Sequence, residues 1–313
     1  MTHARLLIRL TLGIALTAGA LIPAHAVSID CVTVGDPGNA ADVTGYGAVS
    51  SVYKIAKYEV TIQQYTDFLN AVAATDTYSL YNASMATDLN VAGISRSGTS
   101  GSYTYSVINN GGNSANRPIT YVSWFDSARF ANWMANGQPT GAQSGTTTEN
   151  GAYDLNGATS GTAPAKNVTN PNTSAAPTFF IPNENEWYKA AYYSPVLNSG
   201  SGGYYTYATQ SNAAPTNVIG SGSNQANYYT GSGYSVTQSE AYDPSQNYLT
   251  DVGAFTNSAS FYGTFDQSGN VFQWNDLDGL ASSGSSRGLR GGDFYYGNPF
   301  NLSSSGNYSN DPT

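Results

Sequence analysis

Three capped amphipathic stretches are the regular structure this chain offers, and the segments between them are rich in Gly, Ser, Thr and Asn. "TIQQYTDFLNAVA" opens with Thr61 and carries Gln64 three residues later, a reciprocal capping pair, with Ile62, Tyr65, Phe68, Leu69 and Val72 at helical spacing. "SWFDSARFANWMANG" repeats the pattern with Ser123 and Asp126 at its start, Ala128, Ala131 and Met134 inside, and Gly137 as its stop. "NENEWYKAAYY" begins with Asn183 and Glu186 and continues with Trp187, Ala190 and Ala191 on one stripe. Helices this short depend on packing an apolar face, so these aromatic stripes read as core. The stretches 97–116, 141–176 and 196–240 are too polar for core and too rich in Tyr for linkers. They read as long ordered surface loops of one domain.

The first 26 residues have the make-up of an export signal. Arg5 and Arg9 give a positive start, "LTLGIALTAGALI" is an apolar run too short to span a bilayer comfortably, and "AHA" ends it with small residues. A secreted or periplasmic chain beginning after Ala26, with no membrane span, is the expectation. It carries nine basic against 20 acidic side chains, a net charge of −11, which argues against nucleic acid as a partner. The 40% hydrophobic content is enough for a core.

Cleavage there also removes both histidines, His3 and His25, and leaves Cys31 as the single thiol. Ser-His-Asp and Cys-His catalysis, His-ligated zinc and the two-His-one-carboxylate iron site all lose their imidazoles. A lone Cys forms no internal disulfide, and "SIDC" lacks the small residues that precede a lipid-modified Cys. Cys31 reads as a packed or incidental side chain. Among the acids, Glu59 follows Lys57 on an expected strand, and Glu184 and Glu186 start a helix whose dipole favours negative charge. Caps and strand pairing account for them more simply than a glycosidase-like pair does. In "RGG", 290–292, the glycines permit close backbone approach and Arg290 is expected to pair with an acid.

Five blocks in a fixed order carry a family resemblance: "YKIAKYEVTIQQYTDFLNAVA" (53–73), "RPITYVSWFDSARFANWMANGQPTG" (117–141), "FFIPNENEWYKAAYY" (179–193), "YGTFDQSGNVFQWN" (262–275) and "LRGGDF" (289–294). Together they resemble the formylglycine-generating, or sulfatase-modifying factor, family from about Val32 to the chain end, and "GDPGNAADVTGYGAVSSVYKI" is similar to its secreted bacterial branch. The resemblance implies an α+β, loop-rich fold related to C-type lectins, a single domain over 27–313. Family members close with a Gly-Phe-Arg strand that is not found before Thr313, so either the sequence is a fragment or this member has lost its last strand, and the 289–295 strand would be left with an uncovered sheet edge.

The aerobic enzymes of that family oxidise a substrate Cys to formylglycine with copper held by two cysteines. The resemblance lays those cysteines on Tyr296 and Asn301, and a family Ser on Asp293. Phenol, amide and carboxylate oxygens are poor ligands for soft Cu(I), so copper is not expected. A related branch needs a His-ligated iron, which a His-free domain does not supply. Calcium is the cofactor the resemblance leaves. It places one site on the Asp266 side chain, the Gly269 and Val271 carbonyls and the Gln273 side chain, with Gln where the family has Glu. A second falls on Asn227, the Tyr228 carbonyl and Asp243, with Ser245 near. The competing reading of "SGNVFQW" is a turn into a strand with Trp274 in the core.

Two functional classes follow. One is a non-catalytic binding or scaffold module in which Asp293, Tyr295, Tyr296, Phe300, Asn301 and Tyr308 meet a protein, peptide or glycan ligand, as Tyr, Ser, Gly and Asn do in antibody loops. The other is a family oxidoreductase working through unidentified residues. The missing Cys and His favour the first.

Overall fold

The computed structural model describes residues 26–162, 164–277 and 287–313. Except for Ala26, the export signal lies outside the described residues. All three expected helices form with the expected caps. In α1 (Ile62–Val72) Thr61 Oγ1 accepts from Gln64 N–H at 3.2 Å while Gln64 Oε1 accepts from Thr61 N–H at 2.8 Å. Ser123 and Asp126 cap α3 (Trp124–Ala135) in the same reciprocal way, and Asn183 and Glu186 cap α4 (Glu184–Tyr192). Helix α3 stops where Gly137 turns left-handed at φ +79° and Gln138 N–H reaches back to the Trp133 carbonyl at 2.9 Å. A short α2 (Ser84–Thr87) lies between α1 and α3.

The strands are short and fall into separate small sheets, so the α+β expectation holds. Strands β1 (Cys31–Val34) and β2 (Tyr53–Ala56) pair antiparallel, as do β3 (Ile94–Ser97) with β4 (Thr104–Val107) and β5 (Tyr193–Ser194) with β6 (Gly203–Tyr204). Strands β7 (Gln273–Asn275), β8 (Arg287–Arg290) and β9 (Tyr308–Asn310) form an antiparallel sheet in that order. Three expectations are corrected. The strand expected over 289–295 ends at Arg290, because Gly291 and Gly292, at φ +95° and +74°, turn the chain out of the sheet. Its edge is not uncovered either, since Tyr308–Asn310 pairs along it, Leu289 opposite Tyr308. Glu59, also expected on a strand, lies past the end of β2.

Helices α1 and α3 share the largest core. Phe68 sits edge-on to Phe130 at 5.3 Å and tilted to Trp133 at 5.2 Å, with Tyr65 stacked on Phe130 at 6.3 Å. Helix α4 builds a second cluster from Trp187, Tyr188, Ala191 and Tyr192.

The stretches expected as surface loops are less superficial than their polarity implied. Strand β4 lies within 97–116, and 141–176 buries Thr148, Glu149, Ala152, Tyr153 and Leu155. Side-chain amides replace the missing ladders there. Buried Asn132 on α3 donates to the Thr148 and Tyr153 carbonyls at 2.8 and 2.9 Å and accepts from Tyr153 N–H at 2.7 Å. Arg129, also buried on α3, holds Glu149 through Nε and Nη2 at 2.8 and 2.9 Å. Cys31 is exposed on β1. Among the described residues no helix is long and apolar enough to cross a membrane.

Candidate binding surface

Strand β8 delivers Arg290 to the interior, where one side chain joins three parts of the chain. Its Nε donates to Glu184 in the first turn of α4, the acid pairing expected from the sequence. Its Nη1 donates to the Ser304 and Gly306 carbonyls at 2.9 Å each. The guanidinium lies 4.9 Å from the ring centroids of both Tyr46 and Tyr188. The returning arm of the loop that follows β8 is therefore held from beneath.

That loop, 291–307, presents the aromatic residues. Asp293 Oδ1 accepts the backbone N–H of both Tyr295 and Tyr296 at 3.0 Å, an Asx turn that sends the two rings outward. Asp293 thus shapes the turn, and burial raises its carboxyl above the usual range. Asn298 caps a 3-10 turn over Pro299–Leu302, Phe300 N–H meeting its Oδ1 at 3.0 Å. Leu302 is buried as the anchor of this turn, while Phe300 is exposed.

The two positions where the resemblance lays copper-binding thiols end in different environments. Tyr296 is 54% exposed at the loop tip. Asn301 is buried and accepts the Tyr308 phenol proton at 2.5 Å. Tyr308 in turn packs on Phe272 at 5.5 Å. Of the six expected ligand-contacting residues, the loop therefore displays Tyr295, Tyr296 and Phe300 and turns Asn301 inward.

The rings of Tyr295 and Tyr296 continue into an array from distant segments. Tyr248, buried, lies near-parallel to both Tyr242 and Phe294, at 5.7 and 5.6 Å and within 9° and 8°. Tyr295 stands perpendicular to this stack, 5.6 Å from Tyr242 at 83°, and Tyr296 stands perpendicular to Tyr295, 5.6 Å away at 85°. Tyr121 adds a further exposed phenol, donating to Asp88 Oδ2 at 2.5 Å. Tyr121, Tyr242, Tyr248 and Asp88 were not identifiable from sequence. The high Tyr content of the polar segments was the one available signal, and it gave no pairing.

The turn 266–273 brings its residues together differently from the calcium shell expected. Gln273 Oε1 accepts the Trp187 indole N–H at 2.9 Å, and because an indole nitrogen only donates, the amide orientation is fixed. Gln273 therefore offers its Nε2 to the Asp266 carbonyl at 3.1 Å and to Glu59 Oε1 at 3.4 Å. Asn270 Nδ2 faces Glu59 Oε2 at 3.2 Å, and Asp266 Oδ2 accepts Gly253 N–H at 2.6 Å. Desolvation, with the Asp266 charge second, raises Glu59 well above the usual carboxylate range, and burial pushes Asp266 up to about 6. As placed, Gln273 turns a donor rather than an oxygen toward the carboxyls, whereas a calcium shell needs oxygens converging on one point. Gly269, at φ +93°, is needed for another reason: a Cβ there would lie 2.4 Å from the Asn227 carbonyl oxygen.

The residues of the second expected calcium set are engaged in separate hydrogen bonds. Asn227 Nδ2 donates to the Tyr248 carbonyl at 2.9 Å, whereas Asp243 N–H donates to the Tyr248 phenol oxygen at 2.8 Å, the opposite end of the same residue. The Tyr228 carbonyl accepts Asn217 Nδ2 at 3.1 Å, and Asp243 Oδ1 is bonded to Ser245.

A short-stranded α+β scaffold, with a loop excursion from its β8–β9 pair displaying aromatic side chains, defines the class of molecule. The model of the sulfatase-modifying factor enzyme 1-like domain matches residues 45–313, and the chain belongs to that family. Solved structures similar to it include CarF, 18% identical with a TM-score of 0.49 over 91% of this chain and 93% of that one. Treponema denticola variable protein 1 is 15% identical, with a TM-score of 0.47 over 91% of each chain. No curated protein matches.

Proposed function

We propose that this family member is an exported binding module without the family's oxidase chemistry, engaging a protein, peptide or glycan ligand through the 291–307 loop. The observation that carries the reading is the fate of the two thiol positions. Tyr296 is presented to solvent, and Asn301 is hydrogen-bonded to Tyr308 inside the loop. Neither supplies a soft ligand, and the single thiol, Cys31, lies on β1. The apolar leader with its basic start and "AHA" end supports export. A loop rich in Tyr, Ser, Gly and Asn, tied down by Arg290 and Leu302, supports recognition, because its contact groups are ordered before a ligand arrives.

A Cu(I) titration against a competing chelator tests the reading on the mature chain and its Cys31→Ser variant. The expected result is no copper retained by the variant. One equivalent held after Cys31 is removed would contradict it.

A further inference from the structure

We infer that the corner formed by Tyr242, Tyr295 and Tyr296 takes a lysine or arginine side chain from a protein partner. The inference rests on the binding-module reading above and names the chemistry of its ligand. Three observations carry it.

The first is ring geometry. Tyr242, Tyr295 and Tyr296 are 45%, 47% and 54% exposed, and each neighbouring pair is close to perpendicular, at 83° and 85° with centroids 5.6 Å apart. Faces set at right angles let one cation meet more than one ring quadrupole, the arrangement that recognises ammonium and guanidinium groups. Stacking on buried Tyr248 fixes Tyr242, and the Asp293 turn fixes Tyr295 and Tyr296, so little order has to be gained on binding.

The second is charge. Residues 190–286 and 291–313 contain no Lys or Arg, and these segments supply all three rings. Asp243 is exposed beside Tyr242, where its bonds to Ser245 favour the ionised form. Asp88 lies close enough for its charge to act on both the Tyr121 and Tyr242 phenols. An aromatic corner flanked by carboxylates, on a chain of net charge −11 after signal removal, complements a basic segment.

The third is backbone strain. Tyr121, whose phenol is bonded to Asp88, is held at φ +58°, a conformation costly for a bulky residue. The fold keeps this exposed phenol and the Asp88 carboxylate together.

Calorimetric titration of the mature protein with a tetralysine peptide, a tetraglutamate peptide and a neutral glucose oligomer tests the inference. Tetralysine is expected to bind and tetraglutamate not to. Tyr295→Leu and Tyr296→Leu should each weaken tetralysine by about threefold to tenfold with unchanged melting temperature, whereas Tyr295→Phe, which keeps the ring, should retain binding. Tetralysine bound equally by the Leu variants would overturn the inference, since diffuse attraction to an acidic protein would then explain it. Binding of the neutral oligomer that Tyr295→Leu abolishes would overturn the ligand class while leaving the binding-module reading standing. Conversion of a Cys peptide to formylglycine with no peptide bound at the corner would overturn both.

Discussion

The Tyr308 phenol donates its proton to Asn301 Oδ1 across 2.5 Å, closing the 291–307 loop. Asn301 is thereby a structural residue of the loop. Asn301→Ala would leave the half-buried Tyr308 phenol without its acceptor, at a cost of about 1–2 kcal/mol. Urea denaturation measures it, and an unchanged midpoint would mean that the loop closes by other contacts.

Arg290 and Glu184 make a second, heavier commitment. Both are buried, so Glu184→Gln leaves a guanidinium without its counter-charge in a site that also holds the Ser304 and Gly306 carbonyls. The expected loss is about 3 kcal/mol, within the range for breaking a buried pair. Thermal melting checks it, and a loss below about 1 kcal/mol would show that water reaches the pair.

Asp126 gives stability a pH dependence of defined sign. Burial pushes its carboxyl up to about 6 even though Ser123 donates a hydrogen bond to it. The native state then holds this proton longer than the unfolded state does. Its contribution is present below about pH 4 and is lost as pH rises through about 6. Asp126→Asn keeps an oxygen for Ser123 N–H and removes the titration. Relative to the parent, the variant should gain on the order of 1–3 kcal/mol between pH 4 and 7, read from urea midpoints. A difference that does not vary with pH would contradict this.

The Trp187 indole on Gln273 bears on calcium. With that amide oxygen engaged, millimolar calcium should leave the melting temperature where a chelator leaves it, since a ligand that binds the native state alone must raise stability. A rise of several degrees would show that Gln273 turns its oxygen to the ion.

Sequence reading succeeds here wherever local chemistry decides. The Thr61–Gln64, Ser123–Asp126 and Asn183–Glu186 caps are written within four residues each, and all three form. Arg290 was legible as an ion-pair partner because so few buried cations go unpaired. Strand β9 was not, since "YSN" has neither length nor alternation and becomes a strand by lying along Arg287–Leu289. The burial of 141–176 was hidden for a related reason: Asn132 satisfies backbone groups of a segment whose own composition reads as solvent-exposed. The surface position of Tyr295 and Tyr296 was legible. Tyr242 and Tyr121 were not, because the packing of Tyr242 on Tyr295 and the bond from Tyr121 to Asp88 are tertiary, and no spacing encodes them.

The proposal that this chain lacks oxidase chemistry is tested most directly by incubating the purified mature protein with a sulfatase-type Cys peptide, with and without copper, and following the peptide by mass spectrometry. With Tyr296 and Asn301 where the resemblance lays the thiols, the peptide should emerge at its starting mass in every arm. A protein-dependent conversion of Cys to formylglycine would contradict the account and require a ligand set other than the residues described above.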